Sequence, residues 1–150
     1  MKRILLTQNK YALVDDKDFG YLNQFKWRYH SSGYAVRTIY HPVKKTIWMH
    51  RIINNTPRKM YTDHVNRDKL DNRRCNLRAC TNNQNQGNSK IRIDNTSGHR
   101  GISWNKRDKK WQARININGK LKHLGYFINI EDAAKTYEEK AKIIFGEFVI

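Results

Sequence analysis

The stretch Thr62-Asp63-His64-Val65-Asn66 places a carboxylate beside an imidazole, and two carboxamides follow at Asn76 and Asn85. An imidazole accepts a proton near neutral pH, so His64 is a candidate general base for activating a water molecule. Asp63 and the side-chain carbonyl of Asn85 are hard oxygen donors. They suit one divalent cation, Mg²⁺ or Mn²⁺, that keeps several of its waters. Asn76 can bond backbone groups across the intervening loop and fix the orientation of His64. The set matches what phosphodiester hydrolysis needs: a water that loses a proton, and compensation for charge growing on phosphate and on the leaving 3′ oxygen. An Asp-His pair in a polar loop is by itself ordinary surface, so the weight falls on the whole spacing. Successive side chains on a strand point to opposite sides, so a local bend or the turn into the following loop is expected to bring Asp63 and His64 to a common site.

The formal net charge of +17 over 150 residues would make a compact fold repel itself unless its partner is a polyanion. Lys and Arg outnumber Asp and Glu in residues 1–60, 61–90 and 91–150 alike, which favours a long anionic partner over a basic tail. Double-stranded DNA is the expected partner. No apolar run is long enough for a bilayer, and the apolar run Ile4-Leu5-Leu6 is too short for a signal peptide. Cys75 and Cys80 make no disulfide framework and no structural zinc site, and they read as small buried side chains in a reducing cytoplasm.

Residues 1–50 read as a β-rich region. Lys2–Leu6 and Tyr11–Val14 flank a turn-like cluster, a short helix starts at Asp15-Asp16-Lys17-Asp18, and Ser31-Ser32-Gly33 joins two strands. Trp27, Tyr29, Tyr34 and Trp48 read as a small core. His50, between Met49 and Ile52, reads as structural rather than catalytic. Residues 51–90 hold the site: strand, loop and strand, then a helix from Thr81 carrying Asn82 to Asn88. Arg73, Arg74 and Arg78 are candidates for neutralising phosphates, though one of them can be plain solvated surface. Residues 91–98 read as a linker.

Residues 99–150 form a further unit. Trp111, Ala113, Ile115 and Ile117 alternate with Gln112, Arg114 and Asn116, and Asn118-Gly119 is a strong hairpin turn. From Ile130 a helical period runs through Ala133, Ala134, Tyr137, Ala141 and Ile144, stopped by Gly146. The expectation is a three-stranded antiparallel sheet packed on one helix, with the other face open to a partner. The fold class is therefore α+β.

The spacing D-H-x11-N-x8-N, with Asp63-His64-Val65-Asn66, Leu70-Asp71-Asn72-Arg73-Arg74-Cys75-Asn76-Leu77-Arg78 and Thr81-Asn82-Asn83-Gln84-Asn85, resembles the HNH endonucleases of the phage and intron-encoded homing type. The resemblance implies a ββα-metal core, His64 as general base, Asn76 as the structural residue of the motif, and Asp63 with Asn85 as ligands of one metal ion. The third letter is Asn instead of His, which favours Mg²⁺ or Mn²⁺ over a metal that prefers nitrogen. Residues 99–146 resemble the Apetala-type (ethylene-responsive-factor) DNA-binding domain. The likeness lies in His99-Arg100-Gly101-Ile102, Lys110-Trp111-Gln112-Ala113-Arg114-Ile115 and Leu124-Gly125-Tyr126-Phe127, with Ile130-Glu131-Asp132-Ala133-Ala134-Lys135-Thr136-Tyr137. It implies a sheet laid in the major groove, with Arg100, Arg114, Asn116 and His123 on the DNA side. Lys106, Arg107 and Gln112 join them as candidate contacts. Ser103 and Asn105 stand where that family carries arginines, so its base preference does not transfer.

The expectation from sequence is thus a monomeric, metal-dependent homing endonuclease, phage-encoded and acting in a bacterial cytoplasm. The rival is a DNA-binding regulator with an inactive HNH segment. An RNA-binding protein is allowed by charge alone.

Overall fold

The computed structural model describes residues 1–149. The chain divides into two compact units, Met1–Thr81 and Asn82–Ile150, and both mix helix with antiparallel sheet.

In the first unit, β1 (Lys2–Leu5) and β2 (Tyr11–Val14) form a hairpin in the register Lys2↔Val14 to Leu5↔Tyr11. Gln8 and Asn9, with φ of 62° and 52°, turn the chain between them. Helix α1 (Asp16–Leu22) begins with Asp16 and Asp18 at its positive end. β3 (Arg28–Tyr29), β4 (Ala35–Ile39) and β5 (Lys45–Trp48) make a three-stranded sheet, and the chain passes straight into α2 (Met49–Ile53). β6 (Tyr61–His64) and β7 (Leu77–Cys80) form a two-stranded ribbon. Alternate residues of β1 and β2 supply Ile4, Ala12 and Val14 to a core shared with Leu22, Trp27, Ala35, Met49, Ile53 and Leu77.

That core anchors the long loop between β6 and β7. The Leu13 amide donates to the Leu70 carbonyl, and the Asn72 amide donates to the Leu13 carbonyl, both at 2.8 Å. A short parallel bridge, Leu13↔Asp71, results. Arg51 on α2 donates to the carbonyls of Thr56, Pro57 and Met60, which shapes the segment leading into β6.

The second unit starts with α3 (Asn82–Gly87), so the division falls earlier than the boundary expected after residue 90. The reason is packing: a Cβ on Gly87 would lie 2.9 Å from Phe145 Cβ, and the Arg100 guanidinium donates to the Gly87 carbonyl. β8 (Ile102–Asn105), β9 (Lys110–Ile117) and β10 (Lys120–Phe127) form an antiparallel sheet with β9 central. Asn118 and Gly119, at φ 52° and 81°, make the tight β9–β10 turn. α4 (Ile130–Phe145) buries Ala133, Ala134, Tyr137, Ala141 and Phe145 against Ile102, Ala113 and Ile115. Phe145, not Ile144, closes the buried stripe.

Among the described residues no helix is long and apolar enough to cross a membrane.

Candidate active site

β6 runs extended through both Asp63 and His64, which pair with Arg78 and Leu77 of β7. Of the two expected devices, a bend between them is absent, because the ladder keeps that step straight, and the turn into the loop follows at Val65–Arg67, with Arg67 at φ 63°. Asp63 and His64 are 5% and 4% exposed, so the pair is buried structure and not loop surface.

The loop that follows is held by its own amides. Asn76 Oδ1 accepts from the Asn66 amide at 2.9 Å, its Nδ2 donates to the Asp71 carbonyl at 2.7 Å, and its carbonyl accepts from Val65. Asn76 therefore staples the two ends of the loop. The bond to the base comes from elsewhere: His64 Nε2 lies 3.1 Å from Asn72 Oδ1. Nothing in the residue type of Asn72 separates it from its many Asn neighbours in the sequence.

The other side of His64 is aromatic. Its ring lies 5.8 Å from that of Tyr34 and 5.3 Å from that of His50, edge to face, and Trp48 and His30 continue the cluster. Tyr34 thus borders His64, and Trp48 borders Tyr34 and His50, instead of joining the core. Burial lowers the His64 pKa, outweighing the hydrogen bond to Asn72 and the charge of Asp63. The ring is then neutral at pH 7 and able to take a proton.

Burial, with the positive charge of His64 and Arg51 behind it, drives the His50 pKa down to about 3. Among the described residues its buried Nδ1 has no hydrogen-bond partner. A folded pKa below the unfolded value near 6.5 means that the unfolded chain binds the proton more readily. Stability is complete above about pH 6.5 and falls as the pH drops towards 3, by about 1.4 kcal/mol per unit for this one group. Urea unfolding between pH 7 and 5 should show His50→Phe with a slope shallower by that amount. Equal slopes would mean that His50 is protonated in the folded protein.

The three arginines nominated for phosphate have duties within the fold. Arg73 makes a two-pronged pair with the buried Asp71, at 2.7 and 2.6 Å, and this pair holds the Asp71 carboxyl below the usual carboxylate range. Arg74 makes a two-pronged pair with Asp18, at 2.8 and 2.7 Å. Arg78 Nε donates to Asp63 Oδ2 at 2.9 Å. A buried carboxylate needs a counter-charge, and these supply it. Cys75 is exposed in the turn Arg74–Asn76, unlike Cys80, which is buried with its thiol pushed up to about 11.

Among the described residues no three His, Cys, Asp or Glu side chains gather as a metal site. The candidate set needs no such cluster, since one carboxylate and one amide oxygen leave most positions to water and phosphate, as Mg²⁺ prefers. Asp63 and Asn85 fit by donor chemistry. Asn85 lies half-buried on α3.

In the second unit, cross-strand pairing puts Gln112, Arg114, Asn116 and His123 on the sheet face away from α4. A bulge at Leu124 shifts the alternation, so Tyr126 joins that face. Gln112 and Asn105 donate to its hydroxyl at 3.3 and 3.4 Å, and its ring lies 4.6 Å from that of His123. Lys106 and Arg107 occupy the exposed β8–β9 turn, Arg107 paired with Asp108 at 3.1 Å. Arg100 departs from expectation. It lies on the helix side, against the Gly87 carbonyl and Tyr137.

Over 140 residues the chain is 30% identical to an uncharacterized HNH endonuclease of Acanthamoeba polyphaga mimivirus, covering 92% of this chain and 72% of the viral protein. The chain belongs to the HNH endonuclease family. Its function is therefore of the nuclease type, and such enzymes generally work with a divalent metal ion. The chain is also 34% identical over 92 residues to Protein 3.8 of Escherichia phage T7, covering 61% of this chain and 75% of that protein. No family model and no solved structure matches it.

Proposed function

We propose that this HNH protein is a metal-dependent homing-type endonuclease that hydrolyses a phosphodiester of double-stranded DNA to 5′-phosphate and 3′-hydroxyl ends. The observation that carries the reading is His64: a buried imidazole kept neutral, gripped by Asn72, Tyr34 and His50, one residue from a buried carboxylate. His64 takes the proton from the attacking water. Asn76 keeps the loop that follows in shape. By the motif spacing, Asp63 and Asn85 hold the cation, and a bound cation supplies charge to the phosphate and the leaving oxygen. Asp63 and His64 lie on β6, Asn76 in the turn just before β7, and Asn85 on α3.

The sheet of the second unit acts, in this reading, as an Apetala-type module in the major groove. Gln112, Arg114, Asn116, His123 and Tyr126 face the bases, and Lys106 and Arg107 the backbone. Lys69, with its ammonium 4.8 Å from the Tyr34 ring centroid, is placed to meet phosphate near the base. With about 6–10 phosphates neutralised, affinity should fall about 10³–10⁵-fold between 50 and 200 mM salt. A flat salt response would remove the phosphate-tracking interface.

The protein acts as a monomer with one metal site, which most simply nicks one strand, and works in the cytoplasm of an infected bacterium. The Arg78–Asp63 ion pair is the feature that suits the rival, a regulator with an inactive segment. Mapping cleavage on both strands of an end-labelled duplex, with ligation of the products, tests the reading. Ends that DNA ligase rejoins support it, and 3′-phosphate ends would overturn the proposed chemistry.

A further inference from the structure

Asn72 has 0% of its surface exposed and sits in the loop between β6 and β7. Its backbone is fixed first: its amide donates to Leu13 of β2 at 2.8 Å, with Leu70 as a second acceptor at 3.1 Å. Its side-chain amide is fixed next. Nδ2 lies 3.3 Å from the Leu70 carbonyl and 3.7 Å from Met49 Sδ, both acceptors. Flipping the amide would aim its oxygen at a carbonyl oxygen and a thioether, and both of those contacts would become repulsive or empty. Oδ1 therefore faces His64 Nε2, at 3.1 Å. An amide oxygen only accepts, so the hydrogen lies on Nε2.

We infer that Asn72 is a positioning residue that locks His64 into the tautomer protonated on Nε2, making Nδ1 the atom that takes the proton from water. The catalytic consequence rests on the nuclease reading above, while the tautomer itself does not. In the step, water gives its proton to Nδ1 and its oxygen bonds to phosphorus. The bond from phosphorus to the 3′ oxygen breaks, and that oxygen takes a proton from solvent water. The imidazolium formed still donates from Nε2 to Asn72, so the contact persists as charge appears, where it is stronger. A ring free to exchange tautomers would offer N–H in place of a lone pair part of the time.

The test is imidazole ¹⁵N NMR of the full chain at about pH 8, where histidine is neutral, with His64 assigned by the signal lost in His64→Ala. The expected wild-type spectrum shows His64 bearing hydrogen on Nε2 and a bare Nδ1. A ring protonated on Nδ1, or a mixture, overturns the inference without reference to activity. Asn72→Leu removes the acceptor at similar volume and should bring in the second tautomer, with kcat down about 10–100-fold and KM unchanged. Asn72→Asp restores an acceptor and should restore the Nε2–H signature. Loss of kcat with the tautomer unchanged would make Asn72 a packing residue and sink the proposal. If Asn72→Leu does not fold, the wild-type spectrum and Asn72→Asp still decide. If the spectrum is as expected but no DNA is cut, the nuclease reading fails and the tautomer lock stands.

Discussion

Replacing His64 with alanine is expected to slow DNA cleavage by about 10²–10⁴-fold, the usual worth of a positioned general base, and to leave duplex affinity unchanged. The imidazole is the proposed base, and its burial lowers its pKa. In the proposed reading, affinity for duplex DNA comes instead from cations and from the sheet of the second unit. The substitution opens a space bounded by Tyr34, His50 and Asn72 and leaves Asn72 Oδ1 without this donor. A stability loss of about 1–3 kcal/mol should accompany it, so circular dichroism must confirm folding before rates are compared. Imidazole in the buffer should recover part of the activity, since the cavity has the shape of the missing ring. Binding lost together with cleavage would make His64 a structural residue.

Gly101→Ala should destabilise the second unit by about 3–5 kcal/mol, near the top of the range for single substitutions. Gly101 lies at φ +71°, and a Cβ there would overlap Tyr137 Cε2 and the carbonyl oxygen of Arg114. Tyr137 is a buried residue of α4, and Arg114 is backbone of the central strand, with its own amide donating to the Gly101 carbonyl at 2.8 Å. Neither can move without opening the sheet or the helix contact. Gly119→Ala is the control: φ is +81° but nothing lies within 4 Å of its Cβ. Its cost should be the left-handed strain alone, about 1–2 kcal/mol. Hydrogen exchange of the β9 amides would report both; equal effects would show that the Tyr137 and Arg114 contacts carry no energy.

Periodicity made much of the fold legible. The alternation from Trp111 to Ile117, the Asn118-Gly119 turn and the stripe from Ala133 to Ala141 describe a sheet on a helix, and they form one. The two N-terminal hairpin signals also correspond to paired strands. What sequence could not supply was partnership across the chain. Arg73, Arg74 and Arg78 look alike as cations, and only the fold shows that each meets a carboxylate, Asp18 from 56 residues away. Tyr34 and Trp48 have the composition of core residues, yet their rings border His50 and the base. Asn72 gains its role from a β2 carbonyl and a methionine sulfur, contacts that no spacing rule encodes. The bulge at Leu124 hid Tyr126, because a single extra residue reverses which face a side chain takes.

The central claim is that His64 and a divalent ion together break DNA. The direct measurement is conversion of supercoiled plasmid carrying a target the protein binds, followed with Mg²⁺, with a chelator and with His64→Ala. The account predicts open-circular or linear product with Mg²⁺ alone, and intact supercoiled DNA in the other two. Supercoiled DNA that persists with Mg²⁺ on a bound target, or cleavage that survives the chelator or the loss of His64, would contradict it.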